Sequence, residues 1–288
     1  MYISTVIFII LYLLDIVAGY LIAQIAGAIF VAFALPISIF IQMKIALYHA
    51  DVTKLENLSP YDRDKLAIAF ESVFQRGESL GYNFHRNPKI YLSEDGALNG
   101  FNAGNAIVIN RGLMNSGCLE GVCAHEVKHW RFNDSYTSCL ICNTITVISL
   151  LTMFVLSIYA FMIALIIGVI IAIFGGGTTG FFVGSLVGQF LSKIKDIILR
   201  FNVFVMKALQ SLLSRFTELK ADEFATRLGY GEQLKQFLKL TYQSRKMESI
   251  SSRLLSTHPS DSKRIGNIQK IQNQLQQRGE LTNLPFII

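Results

Sequence analysis

The chain carries His125-Glu126-Val127-Lys128-His129. Two histidines at i and i+4 share one face of a helix, so both imidazoles reach a common point and can ligate one metal ion. Glu126, beside the first histidine, can act as general base toward a metal-activated water. Coincidence explains this poorly: with five histidines and eleven glutamates in 288 residues, chance gives about 0.003 such matches per chain. The chemistry indicated is metal-assisted hydrolysis, with zinc as the metal.

Catalytic zinc takes three protein ligands and leaves one position open. A glycine and a third histidine downstream would complete one known pattern, but Phe132 and Ser135 occupy those places. The third ligand must come from elsewhere. His49, His85 and His258 are the remaining histidines. The better candidate is Glu218, in Glu218-Leu-Lys-Ala-Asp222 on an expected helix from about Val205 to Leu228. Asp222 lies one turn further on the same face and can accept a hydrogen bond from a ligand histidine. A solvated ion-pair face would show the same spacing, so the sequence leaves both readings open.

Around these residues the chain reads as α+β, mainly helical. Ser59-Pro60 caps an amphipathic helix running to about Gly81, with Leu66, Ala69, Phe70, Val73 and Phe74 on one face. Lys89–Leu92 and Ala106–Ile109 read as strands. The HEVKH helix is expected from Ser116 or Gly117 to about Asn133.

The composition is 52% hydrophobic and 16% charged, which excludes a purely soluble or disordered chain. Residues 1–43 carry one charge, Asp15, and residues 135–192 carry none. A spanning helix needs about 20 apolar residues. Two spans are expected before residue 48, broken between Gly19 and Gly27. A hairpin is expected at 139–204, with its turn in the glycine-rich stretch 175–180. A cleaved leader is the competing reading for the first span, but no basic residue precedes it. About four spans then separate two halves of one domain, 49–138 and 205–288. Asp15 is expected near the short first loop, neutral or hydrated, though an intramembrane carboxylate can be functional. Trp130 and Arg131 are expected to pack and reach the membrane surface.

Lys44, Lys193, Lys195, Arg200 and Lys207 flank the spans on the side of the polar segments, which places that side in the cytoplasm. Residues 193–288 hold 16 basic against 8 acidic side chains, a surplus suited to anionic lipid headgroups. Nucleic acid is not an expected partner, because the basic residues are dispersed. Four cysteines, including Cys139-Leu-Ile-Cys142, are read as small reduced thiols rather than a second metal site.

HEVKH, then ELKAD, then Thr257-His258-Pro259 with Lys263-Arg264-Ile265, resemble the HtpX-type integral-membrane zinc metalloproteases. These are relatives of the CAAX prenyl-protein proteases and of the mitochondrial stress protease of the same clan. Asn99-Gly-Phe-Asn102 and the strand after it are similar to that family's Asn-Ala-Phe-Ala segment, with Gly100 and Asn102 as departures. Ser260 stands where a second proline is common. The resemblance implies one zinc ion bound by His125, His129 and Glu218, with Glu126 activating water. It also implies that Asp222 supports a ligand and that His258 or Arg264 lies near the site. A polypeptide substrate would add along an edge strand near Asn99–Ala106, Asn99 and Asn102 included.

The implied protein is a multi-pass membrane endopeptidase of the plasma membrane, facing the cytoplasm and clearing misfolded or membrane-associated proteins. An intramembrane site-2 protease also uses H-E-x-x-H, but within an apolar span. Here Lys128, Arg131 and Asp134 bound the motif. A catalytically silent zinc-binding scaffold or assembly factor is the alternative from another class, and retention of Glu126 argues against it.

Overall fold

The structure, a computed structural model, describes residues 3–244 and 259–280. It divides into two compact units, one of residues 1–140 with 211–288 and one of residues 141–210.

The first unit opens with α1 (Ile3–His49), an apolar helix that reverses direction at Gln24, where φ is +53°. The reversal brings the Tyr12 hydroxyl within 2.7 Å of the Ala32 carbonyl, to which it donates. Asp15 is 2% exposed, so it is buried rather than hydrated.

Four strands follow: β1 (Val52–Lys54), β2 (Lys89–Ser93), β3 (Gly100–Ala103) and β4 (Ala106–Asn110). Their order is β1-β2-β4-β3, with β2 and β4 parallel and the outer pairs antiparallel. β4 is buried along its whole length, as a central strand rich in branched side chains should be. β3 is left at an edge.

Between β1 and β2, α2 (Pro60–Ser79) begins with Ser59 accepting from the Asp62 amide, and proline takes the first helical position. Its Leu66, Phe70 and Val73 meet Ile107 and Ile109 of the sheet in one core. That core also receives Val122, Val127 and Trp130 of α3 (Leu119–Arg131). Trp130 is 1% exposed and donates its indole N–H to Asn105, so it packs inside rather than reaching outward. Arg131 stacks over Tyr82 and Phe84. Burying a large apolar side chain of this kind contributes about 1.5–3 kcal/mol, so the core fixes where α3 lies.

Two long helices come next, α4 (Asp134–Gly175) and α5 (Gly177–Arg227). The expected helix near Val205 is thus the continuation of the second apolar arm, because no proline interrupts α5. In the second unit the arms pack through small residues. A Cβ on Gly180 would sit 2.5 Å from both the Gly168 carbonyl and the Ala172 methyl, so glycine is what permits the close approach. Among the described residues three helices are long and apolar enough to cross a membrane: Gly27–His49, Asp134–Gly175 and Gly177–Arg227. The first arm of α1 contributes a shorter apolar helix, Ile9–Tyr20.

Back in the first unit, α6 (Gly231–Ser244) and α7 (Asp261–Gln277) pack Leu234 and Leu238 near Ile268 in the main core. Ser260 caps α7 by accepting from the Lys263 amide.

Candidate active site

α3 turns its apolar side to the core and presents His125 and His129 together, their Nε2 atoms 3.2 Å apart. α5 brings Glu218 to the same point, with Oε2 3.5 Å from His125 Nε2 and Oε1 3.5 Å from His129 Nε2. A tetrahedral zinc with ligand bonds of 2.0–2.1 Å would have ligand–ligand edges of about 3.3 Å. The two nitrogens stand at about that separation and each lies 3.5 Å from one oxygen of the carboxylate, so all three groups are close enough to share one ion, and nitrogen, nitrogen and carboxylate oxygen are zinc donors. Among the described residues this is the one cluster of His, Cys, Asp or Glu able to hold a metal, and it contains no cysteine.

Both outward ring nitrogens face carboxylates. His125 Nδ1 faces Asp222 Oδ1 at 3.0 Å, and His129 Nδ1 lies 2.8 Å from Asp134 Oδ2. A carboxylate on Nδ1 keeps the proton there and leaves the Nε2 lone pair for a metal. Asp222 is fully buried and grips Arg264, which donates from Nε at 2.8 Å and Nη2 at 2.7 Å. Arg264 Nη1 is also 3.3 Å from Glu218 Oε2. On the other side Lys128 Nζ donates to Asp134 Oδ2 at 2.5 Å and to the Thr217 carbonyl at 3.2 Å.

Burial raises the Glu126 pKa above the usual glutamate range, against the pull of the two neighbouring histidines. Burial works against a charged imidazole, yet the Asp134 and Glu218 carboxylates lift the His129 pKa to about 9. The Asp222 and Glu218 carboxylates likewise raise that of His125 against its burial.

The site opens into a cleft of about 220 Å³ walled by β3 on one side and by α5 and α6 on the other. Gly100 belongs in this wall: a Cβ there would lie 3.2 Å from Val122 and 3.3 Å from Glu126. Asn102 also lines the cleft, but its amide is committed to the β3–β4 turn. It donates to the Ala106 carbonyl at 3.0 Å and accepts from the Ser135 hydroxyl at 2.6 Å. Asn99 is exposed at the mouth, and its carbonyl accepts the Asn110 amide at 3.0 Å.

The structure therefore gathers His125, Glu126, His129, Glu218, Asp222 and Arg264, with Asn99 and Asn102 on the rim. His258 lies outside the described residues. Sequence reasoning gave no role to Asp134 or Lys128. The available signal was a charged residue, five positions after His129, heading an otherwise uncharged stretch.

Residues 69–272 match Peptidase family M48. Two curated relatives named "Protease HtpX homolog", from Listeria monocytogenes serotype 4b strains CLIP80459 and F2365, are each 29% identical over 143 residues. Those matches cover 46% of this chain and 43% of each relative, so less than half of the relatives' length is spanned. The crystal structure of S. mikatae Ste24p aligns over 91% of this chain and 61% of its own, at 18% identity and a TM-score of 0.48. Since the family match encloses the HEVKH helix, Glu218, Asp222 and Arg264 within one span covering most of the chain, the protein belongs to peptidase family M48.

Proposed function

We propose that the protein is a membrane-bound, zinc-dependent endopeptidase that hydrolyses peptide bonds of misfolded or membrane-associated polypeptides on the cytoplasmic side. The observation that carries this reading is the convergence of His125, His129 and Glu218 within reach of one ion, beside Glu126 and an open cleft. These three residues would hold one zinc ion. Bound there, zinc supplies Lewis acidity, lowering the pKa of water and polarising a carbonyl.

The protein's own residues do the rest. Glu126 takes a proton from the attacking water and returns it to the leaving amide nitrogen. Its raised pKa suits both halves of that exchange, since base and conjugate acid are then close in energy. A substrate backbone in extended form pairs with the free edge of β3, which lays one peptide bond across the cleft. Asp222 and Asp134 orient the ligand rings, and Arg264 keeps Asp222 and Glu218 in register. His258 is read as a further group near the cleft, on the family resemblance alone.

The cytoplasmic orientation rests on Lys44, Lys193, Lys195, Arg200 and Lys207, all flanking the apolar segments on the polar side. The apolar helices imply a lipid bilayer as surroundings, and no nucleic-acid partner is invoked. A silent zinc scaffold is the competing reading, and Glu126 disfavours it because a structural metal site has no use for a buried general base. Zinc content and casein cleavage in detergent, compared for wild type and Glu126→Gln, test the proposal. One zinc in both with cleavage in wild type alone is the expected result. Zinc without cleavage in either would favour the scaffold. Cross-linking the Glu126→Gln protein in membranes would then identify the trapped polypeptides.

A further inference from the structure

Asp134 lines the cleft and Lys128 is buried against it, 7% and 5% exposed, where a lone charge would be costly. They neutralise each other, and each has a second contact that leads to a metal-binding residue. Asp134 Oδ2 accepts from His129 Nδ1 as well as from Lys128 Nζ. Lys128 also donates to the carbonyl of Thr217, the residue before Glu218. A short chain of contacts thus runs from His129 through Asp134 and Lys128 to the turn of α5 that carries Glu218. His125 faces a separate carboxylate, Asp222, which Arg264 grips in turn.

We propose that Asp134 is a positioning residue for His129, and that Lys128 holds Asp134 in place while tying α3 to α5 beside Glu218. The inference rests on the zinc-peptidase reading above. Physically, a buried carboxylate on Nδ1 fixes the ring's orientation and its proton, so Nε2 is ready for the metal without reorganisation. Lys128 makes this carboxylate tolerable in a buried site and limits its movement, because the ammonium is itself anchored on a helix carbonyl. Asp134 is also the first residue of α4, so the same contact joins the ligand helix to the start of an apolar helix.

The test uses the full chain in detergent. Zinc affinity is measured by chelator competition for wild type and Asp134→Asn, with helix content of the metal-free proteins as the check on folding. Wild type should bind one zinc, and a wild type that binds none overturns both this inference and the peptidase reading. Given wild-type binding, Asp134→Asn should bind zinc roughly 10–100-fold more weakly while remaining helical. Wild-type affinity in that variant overturns the positioning role alone.

Should Asp134→Asn fail to fold, wild type decides the question. With isotope-labelled histidine in the zinc-loaded protein, the His129 Nδ1 proton should resonate downfield and exchange slowly, as a proton held by a buried carboxylate does. An ordinary shift with fast exchange overturns the inference.

Discussion

Arg264 holds both oxygens of Asp222 from a position 42 residues further along the chain, at 2.8 and 2.7 Å, and Asp222 in turn faces His125 at 3.0 Å. A planar guanidinium on a carboxylate is the geometry that only arginine supplies. Removing Arg264 would strand a carboxylate with no exposed surface. Arg264→Leu should therefore destabilise the metal-free protein by about 3–5 kcal/mol. Arg264→Lys should recover only part of this, since an ammonium cannot form the two parallel bonds. Denaturant unfolding of the metal-free variants checks both outcomes.

Glu218 and Asp222 should differ in how they fail. Glu218 reaches both histidine Nε2 atoms, whereas Asp222 touches only the far side of His125. Glu218→Gln should nearly abolish zinc binding. Asp222→Asn should weaken it roughly 10–100-fold, and excess zinc should restore much of its activity. Zinc titration with peptidase assay at each step separates the two, and the reverse order of severity would exchange their roles.

Glu126 is beside the cluster but is not one of its three members. Glu126→Gln should keep one zinc and lose activity by roughly 10²–10⁴-fold, the usual size of a general-base contribution. His125→Ala and His129→Ala should lose metal and activity together. Metal analysis paired with turnover reads the difference; loss of zinc in Glu126→Gln would show it to be a ligand.

His125 and Glu218 can meet only if an even number of membrane crossings separates them. Single cysteines placed at Arg86 and Gln274 in a cysteine-free background should both label from the cytoplasmic side. Labelling from opposite faces would be incompatible with the shared site. The same cysteine-free protein should keep its zinc, because the cluster uses no thiol.

Acid should weaken one surface clamp. Arg111 reaches Asp62 at 2.8 Å and Glu94 at 2.6 Å, and its hydrogen bonds lower both carboxyl pKa values from ordinary values of 3.8 and 4.5. Depressed folded-state values mean that the stabilisation is complete above the ordinary carboxylate range and lost as pH falls through the lowered ones. Both acids are near solvent, so the contribution should be less than about 1 kcal/mol. Melting curves from pH 6 downward, about the range where these groups titrate, should converge for wild type and Arg111→Met.

What the sequence determined alone was local. The i, i+4 pair in HEVKH, the Ser59-Pro60 start of α2 and the branched runs that became β2 and β4 all depend on periodicity or capping within a few residues. The apolar arms were equally plain, since a bilayer-length run without charge needs no partner to be recognised.

Tertiary packing decided the rest. β3 has only four residues, and its place at the free edge follows from pairing with β4. Ser260, a departure from the family pattern, becomes a helix cap only because α7 begins after it. Choosing Glu218 over a solvated acid required the turn of α5 that carries it to meet α3, a long-range contact that no local pattern encodes. Asp134 and Lys128 show the same limit most clearly. In sequence they are ordinary charges near the start of an apolar stretch. Burial side by side is what turns them into partners, because there each needs the other, and His129 supplies a further hydrogen bond to Asp134.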